Sequence, residues 1–199
     1  MIGHIFGLLF SPKRQWQAIA EQETFSLAKA VLYAMLLAVI PAVAWYYGVT
    51  DIGWSVGDGD TVRMTSESAL AIIVLFYLTM ILSVIGIGFM IHWMATTYGA
   101  ESSTAKGIAI TGFAATPLFV AGAVGFLPVF WLALSIAIAA VCYAVYLLYL
   151  GIPAVMHIPE ERGFLFASAV LAVCMVVLMM IMGGTVILWD MGAAPEFID

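Results

Sequence analysis

The sequence predicts an all-α fold: a polytopic membrane helix bundle of five transmembrane helices, N-terminus in and C-terminus out, with a short N-terminal amphipathic helix. Three observations predict it. Of the 199 residues, 65% are hydrophobic and 9% charged, too few polar side chains to cover a soluble domain of that size. Five apolar runs reach the about 20 residues that a spanning helix requires. Lys and Arg gather on one side of the arrangement those runs imply.

The elements follow in chain order. Met1 to Phe10 is apolar but too short to span, and Ser11-Pro12 is a helix start, with Ser as N-cap and Pro at the first helical position. Trp16, Ile19 and Ala20 then recur at helical spacing beside Lys13, Arg14 and Gln17, which describes an amphipathic helix on the membrane surface; a solvated linker is the other reading. Lys29, the apolar stretch from Ala30 and Ala42-Val43-Ala44 imitate a cleavable signal. The long preceding region with Glu21 and Glu23, and an apolar run continuing through Tyr47, fit an uncleaved span better. The five runs extend from about Leu27 to Tyr47, Ala69 to Thr97, Gly107 to Phe126, Pro128 to Leu150 and Phe164 to Trp189. Only Gly125-Phe126-Leu127-Pro128 separates the third from the fourth. A re-entrant third run would reduce the count to four. The domain reading is an interfacial segment over 1–26, a transmembrane domain over 27–189 and an acidic outer tail over 190–199.

With five spans and the N-terminus inside, Lys13, Arg14, Lys29, Lys106 and Arg162 fall on the cytoplasmic side and Arg63 alone outside. Asp51, Asp58, Asp60, Glu67, Asp190, Glu196 and Asp199 fall outside. Trp45, Tyr46, Tyr47, Trp131 and Trp189 mark the outer interface, and Trp93, Tyr98, Tyr146 and Tyr149 the inner one. The net charge of -6, from 12 acidic and 6 basic residues, holds no basic cluster and argues against nucleic acid as a partner. Cys142 and Cys174 lie in apolar runs, where a thiol behaves as a small hydrophobe.

The third run carries the helix breakers Gly107, Gly112, Pro117, Gly122 and Gly125, with Thr111 and Thr116 among them. Pro117 removes one backbone donor and frees the carbonyl of Phe113, so this helix is expected to kink and to lie in the bundle interior. Gly107-Thr111-Ala115, Ala133-Ala137 and Ala140-Ala144 are small-residue seams for close helix approach, with or without a transport role. Gly112, Thr116, Pro117, Gly151 and Pro153 are the candidate packing or pathway positions.

No Asp, Glu, Lys or Arg occupies the interior of any run, which argues against ion-coupled transport, proton pumping and voltage sensing. A passive conduit needs no charge. His4, His92 and His157 fall on the inner side with Glu101, Glu160 and Glu161. His92, His157 and Glu160 form a candidate cytoplasmic-face site, yet their spacing has no zinc-site regularity, and no metal is assigned. The outer loop with Asp51, Asp58, Asp60 and Glu67 about Gly57 and Gly59 lacks the register of a calcium loop. No Ser, Cys or His stands in a nucleophile context, so no catalytic residue, cofactor or enzyme activity is read. Met175, Met179, Met180 and Met182 are read as core filler rather than copper ligands.

Four stretches together resemble the Yip family (Ypt/Rab-interacting proteins) of small five-helix membrane proteins: Leu8-Leu9-Phe10-Ser11-Pro12, His92 to Gly99, Phe113-Ala114-Ala115-Thr116-Pro117, and Tyr146 to Met156 followed by Pro159. The resemblance implies a five-helix domain, N-in and C-out, with Pro117, Gly151 and Pro153 as shape-setting backbone positions. For eukaryotic relatives it also implies contact with prenylated small GTPases and a part in vesicle traffic. This chain lacks their long cytosolic N-terminal region and looks like compact bacterial members, so the GTPase is not carried over. The expected home is a bacterial inner membrane. The expected function is a non-enzymatic scaffold or adaptor, acting through helix association and through the inner face made by the amphipathic segment and a loop from Gly151 to Arg162. A passive channel, transporter or lipid-handling protein with its path at the broken third helix is the alternative. A hydrolase or metal enzyme using His92, His157 and Glu160 is a remote third. Expected partners are membrane lipids and a second copy or another membrane protein.

Overall fold

Three of the helices begin where a hydroxyl closes the first turn. In this computed structural model Ser26, Thr65 and Ser103 accept the backbone N–H groups of Lys29, Ser68 and Lys106 at 3.5, 3.3 and 3.2 Å, satisfying donors that a helix start leaves free. The structure describes residues 2–21, 24–54, 61–127 and 129–198. Glu23, Gly57, Asp58, Gly59, Asp60, Pro128 and Asp199, on which parts of the sequence reading rest, lie outside them, and so does most of the acidic-loop reading.

The helices are α1 (Ile2–Phe10), α2 (Pro12–Ala20), α3 (Leu27–Tyr47), α4 (Ser66–Ala95), α5 (Thr104–Ala114), α6 (Thr116–Ala121), α7 (Phe130–Met156) and α8 (Glu160–Leu188). Four are long and apolar enough to cross a membrane, or five if the bent pair of α5 and the segment Thr116–Phe126 counts as one. We call the end holding α2 and the α7–α8 turn inner, and the opposite end outer.

The third run bends by 41° where the sequence places its break. Pro117 has no N–H for the carbonyl of Phe113, and the N–H groups of Leu118 and Phe119 both turn to the carbonyl of Ala115, at 3.0 and 3.1 Å. The bent pair is also internal, as expected. A Cβ on Gly107 would overlap the carbonyl oxygen of Gly88, and one on Gly88 would lie 2.5 Å from Cα of Ile108, so α4 and α5 meet backbone to backbone. Further along, Gly122 rests on Pro41, and a Cβ on Gly125 would lie 2.7 Å from the backbone nitrogen of Trp45. The bent pair thus packs along the bundle from the inner turns of α4 to the outer end of α3.

Three local expectations need correction. Ser11 makes no side-chain cap bond; its own N–H instead bonds the carbonyl of Gly7 at 2.8 Å, prolonging the ladder of α1. Secondly, the apolar face of α2 meets protein: Trp16 and Ile19 are buried within an inner core that includes Ile91, Leu147, Ile152 and Phe166. Thirdly, Gly151 to Met156 is no loop, because α7 continues through Pro153 to Met156. The lost Pro153 donor costs one ladder bond, while the packing of these turns under α2 and α8 holds the helix together. The connection to α8 is only His157 to Pro159.

A second core joins α3, α4 and the bent pair through Tyr33, Leu37, Val84, Ile108 and Phe119. At the outer end the tail returns to the bundle. β1 (Arg63–Met64) pairs antiparallel with β2 (Phe197–Ile198), and Glu196 exchanges bonds with α4's entry: Thr65 N–H to its carbonyl at 2.9 Å and its own N–H to Ser68 Oγ at 3.1 Å.

Candidate functional site

A concavity of about 1050 Å³ lies at the inner end between α2, the last turns of α7 and the first turns of α8. Each wall has a local origin. Pro12 opens α2 with its fixed φ, and the helix that follows brings Lys13, Trp16 and Gln17 to one wall. α7 stops at His157, whose φ of 54° lies in the left-handed region that breaks a helix; its N–H returns to the carbonyl of Pro153. That tight turn starts α8 at once, so Glu160 and Glu161 line the same groove as Lys13. Both carboxylates sit in the first turn of α8, where the helix dipole favours negative charge.

The floor is aromatic and apolar, with Trp16, Tyr149 and Phe164 among its residues. Trp16 is 1% exposed and its ring lies on Gly151, where an added Cβ would come 2.6 Å from Cζ2. Its indole N–H is buried and has no hydrogen-bond partner, an unmet donor that costs about 1–3 kcal/mol. Tyr149 Oη pairs with Ser168 Oγ at 2.8 Å, fixing α7 to α8. Tyr143 Oη donates to the carbonyls of Leu8 and Leu9, both at 2.9 Å, which anchors the end of α1 beside them.

The residues singled out from sequence divide into three places. Pro153 and Glu160 line the groove, and Gly151 supports it from below Trp16. Gly112, Thr116 and Pro117 lie buried in the middle of the bundle. There Thr116 Oγ1 is 2.7 Å from Tyr33 Oη and also reaches the carbonyl of Gly112 at 3.4 Å; a Cβ added to Gly112 would meet Tyr33 and Val84 at ordinary contact distance. His92 and His157 are not among the lining residues of the groove. His92, in the last turn of α4, is half-buried and its Nδ1 has no partner, while His157 is exposed at the helix stop. Among the described residues no three of His, Cys, Asp and Glu come together as a metal ion would require.

The sequence reading missed Tyr149, Phe164 and the Tyr33–Thr116 pair. A hydroxyl-bearing aromatic within an apolar run was the available signal, since a buried Tyr O–H ordinarily finds a partner. Near the groove, His4 Nδ1 and Gln15 Nε2 are 2.7 Å apart, and partial burial lowers the His4 pKa below its ordinary value.

Residues 6–181 match a family model described as Yip1 domain. The chain is 39% identical over 192 residues to Inner membrane protein YohC of Escherichia coli K12, covering 96% of this chain and 98% of that one. It has the same identity and coverage to Inner membrane protein YohC of Escherichia coli O6:H1. No solved structure matches the chain.

Proposed function

The chain belongs to the Yip1 domain family and is a multi-pass protein of the bacterial inner membrane; from that premise we propose that it is a non-enzymatic adaptor, docking partners in the groove beside α2. The single observation that carries this reading is the groove's composition. It brings the exposed ring of Phe164 and the half-buried ring of Tyr149 together with Lys13, Glu160 and Glu161 around one concavity. A site with both charge signs beside an exposed aromatic side chain suits a protein segment, because charge fixes register while covering the aromatic supplies binding energy. The bent pair counts as one span, giving five, N-in and C-out. What supports the orientation is the charge asymmetry, Lys13, Arg14, Lys29, Lys106 and Arg162 against Arg63.

A photo-crosslinker at exposed Gln17 in native membranes tests the adaptor reading. The expected product is a discrete adduct, either a second copy of the 21.4 kDa chain or another membrane protein, lost when Glu160 and Glu161 are replaced by Lys. Only lipid adducts and uncrosslinked monomer would overturn it. The alternative, a passive path along the broken third span, draws on the bend at Ala115. The hydroxyls of Tyr33 and Thr116 satisfy each other there, which leaves this reading the less favoured. Flux of small solutes or lipid analogues through reconstituted vesicles would revive it.

A further inference from the structure

The outer half of the bundle contains a second built feature, separate from the groove. At the inner end the turn that follows α4 is joined to α8 through the stacked rings of Tyr98 and Phe166, 4.7 Å apart. Further out the helices part, and the tail closes the top by returning to Thr65 and Ser68. Between the inner contact and this strap is a cleft of about 370 Å³, with Phe76 of α4 facing Ile181 of α8 and with Trp45 and Trp189 among its walls. Above it is a cavity of about 210 Å³ holding Glu67 and Glu196. Ile72 and Leu75 line both, so the two adjoin. From Glu67 to Thr79 the shared wall of α4 is about 18 Å long at 1.5 Å rise per residue.

We infer that this cleft holds one phospholipid with a primary-amine headgroup, its chain between Phe76 and Ile181 and its ammonium between Glu67 and Glu196. This rests on the membrane-spanning reading and not on the adaptor role. The cleft opens from the apolar part of the bundle, where lipid is the surrounding solvent. Trp45 and Trp189 lie where aromatic residues meet the headgroup level. Charge selects the headgroup: among the described residues no Lys or Arg lines either cavity, and Arg63 belongs to β1. Two carboxylates attract an ammonium and repel a net-negative phosphatidylglycerol. The Glu196 backbone bonds to Thr65 and Ser68 hold that residue at the rim whatever occupies the cleft.

Native mass spectrometry of the full chain, released from vesicles of phosphatidylethanolamine and phosphatidylglycerol in equal amounts, tests the inference. The expected result is one retained phosphatidylethanolamine per chain. Replacing Glu67 and Glu196 together by Gln is expected to reduce its preference over phosphatidylglycerol about fivefold, the scale of an exposed charge pair. Leu75→Trp is expected to abolish retention of both lipids; if that variant does not fold, Ile181→Trp fills the cleft from the opposite wall. Equal retention of the two lipids, or retention unchanged by all the variants, overturns the inference. So does a dimer that Ile181→Trp dissociates while lipid remains bound, which would assign the cleft to a second copy. The absence of any protein adduct at Gln17 in the wild-type chain, with lipid selectivity intact, would instead count against the adaptor reading alone.

Discussion

The inner and outer halves of α8 are solvated by different things. In the inner half Phe166, Ala167 and Val170 are fully buried, and Tyr98, just past α4, and Tyr149 of α7 hold this part of the helix. In the outer half Met179 and Met180 are each 70% exposed, and a Cβ added to Gly183 or Gly184 would meet nothing within 4 Å. Past the charged first turn of Glu160, Glu161 and Arg162, both halves are apolar in sequence. One is apolar because protein covers it and the other because lipid does, and only the first can set the shape of a site. The groove therefore has walls that are packed against other helices, while the α4–α8 cleft is a gap that the tail spans from above.

The largest expected effect tests the inner half where backbones touch. Gly107→Val places its side chain on the carbonyl oxygen of Gly88. No rotamer relieves an overlap with backbone, so the cost is expected to reach or exceed about 3 kcal/mol, the upper end of overpacking. Size-exclusion profiles of the extracted protein check this: the variant is expected to aggregate, and a monodisperse variant with wild-type melting would show that α4 and α5 are not in close contact. The next effect lies at the bend. Thr116→Val removes the partner of Tyr33 and leaves a buried hydroxyl unmet, an expected loss of about 1–3 kcal/mol. Tyr33→Phe is expected to lose only about 1 kcal/mol, because Thr116 retains the carbonyl of Gly112. Thermal unfolding in detergent separates them. Equal losses would mean that the hydroxyl pair does not act as a unit.

Sequence reasoning read the spans well and their neighbours poorly. The first run, Leu27 to Tyr47, coincides with α3, and the break at Pro117 is where the chain bends, because length, apolarity and a missing N–H are local properties. Which helix faces which is not local. Soluble helices display a polar stripe that marks the buried face; spans that are apolar on every side have none. So Tyr33 could not be assigned to Thr116, nor Trp16 to Gly151. The continuation of α7 past Gly151 was hidden for a related reason, since Gly and Pro usually end a helix and only the cover of α2 and α8 sustains this one. The return of the tail as β2 depends on a two-residue pairing, too short for any alternation to show in sequence.

A smaller effect is expected at the inner edge, where α1 meets α2. His4 accepts from Gln15 Nε2 when neutral, and burial lowers its pKa below the ordinary 6.5. The unfolded chain therefore binds this proton more readily than the folded one. Stability from this group is complete above the unfolded value and declines as pH falls through 6.5 toward the lower folded value. Hydrogen exchange in α1 is expected to quicken modestly between about pH 7.5 and about pH 5, and His4→Gln is expected to flatten that dependence. Acceleration that persists in the variant would place the pH sensitivity elsewhere.

The smallest effect sharpens the comparison from the outer side. Gly184→Ala adds one methyl group where the structure offers open space, and Ala favours the helix more than Gly does. The two tendencies leave the melting temperature of the detergent-solubilised monomer nearly unchanged, within about 0.5 kcal/mol. The same substitution at Gly107 or Gly122, which rest on Gly88 and Pro41, is expected to destabilise measurably. If Gly184→Ala matches their loss, the outer half of α8 is packed against a neighbour rather than against lipid, and the contrast between the two halves of the helix fails.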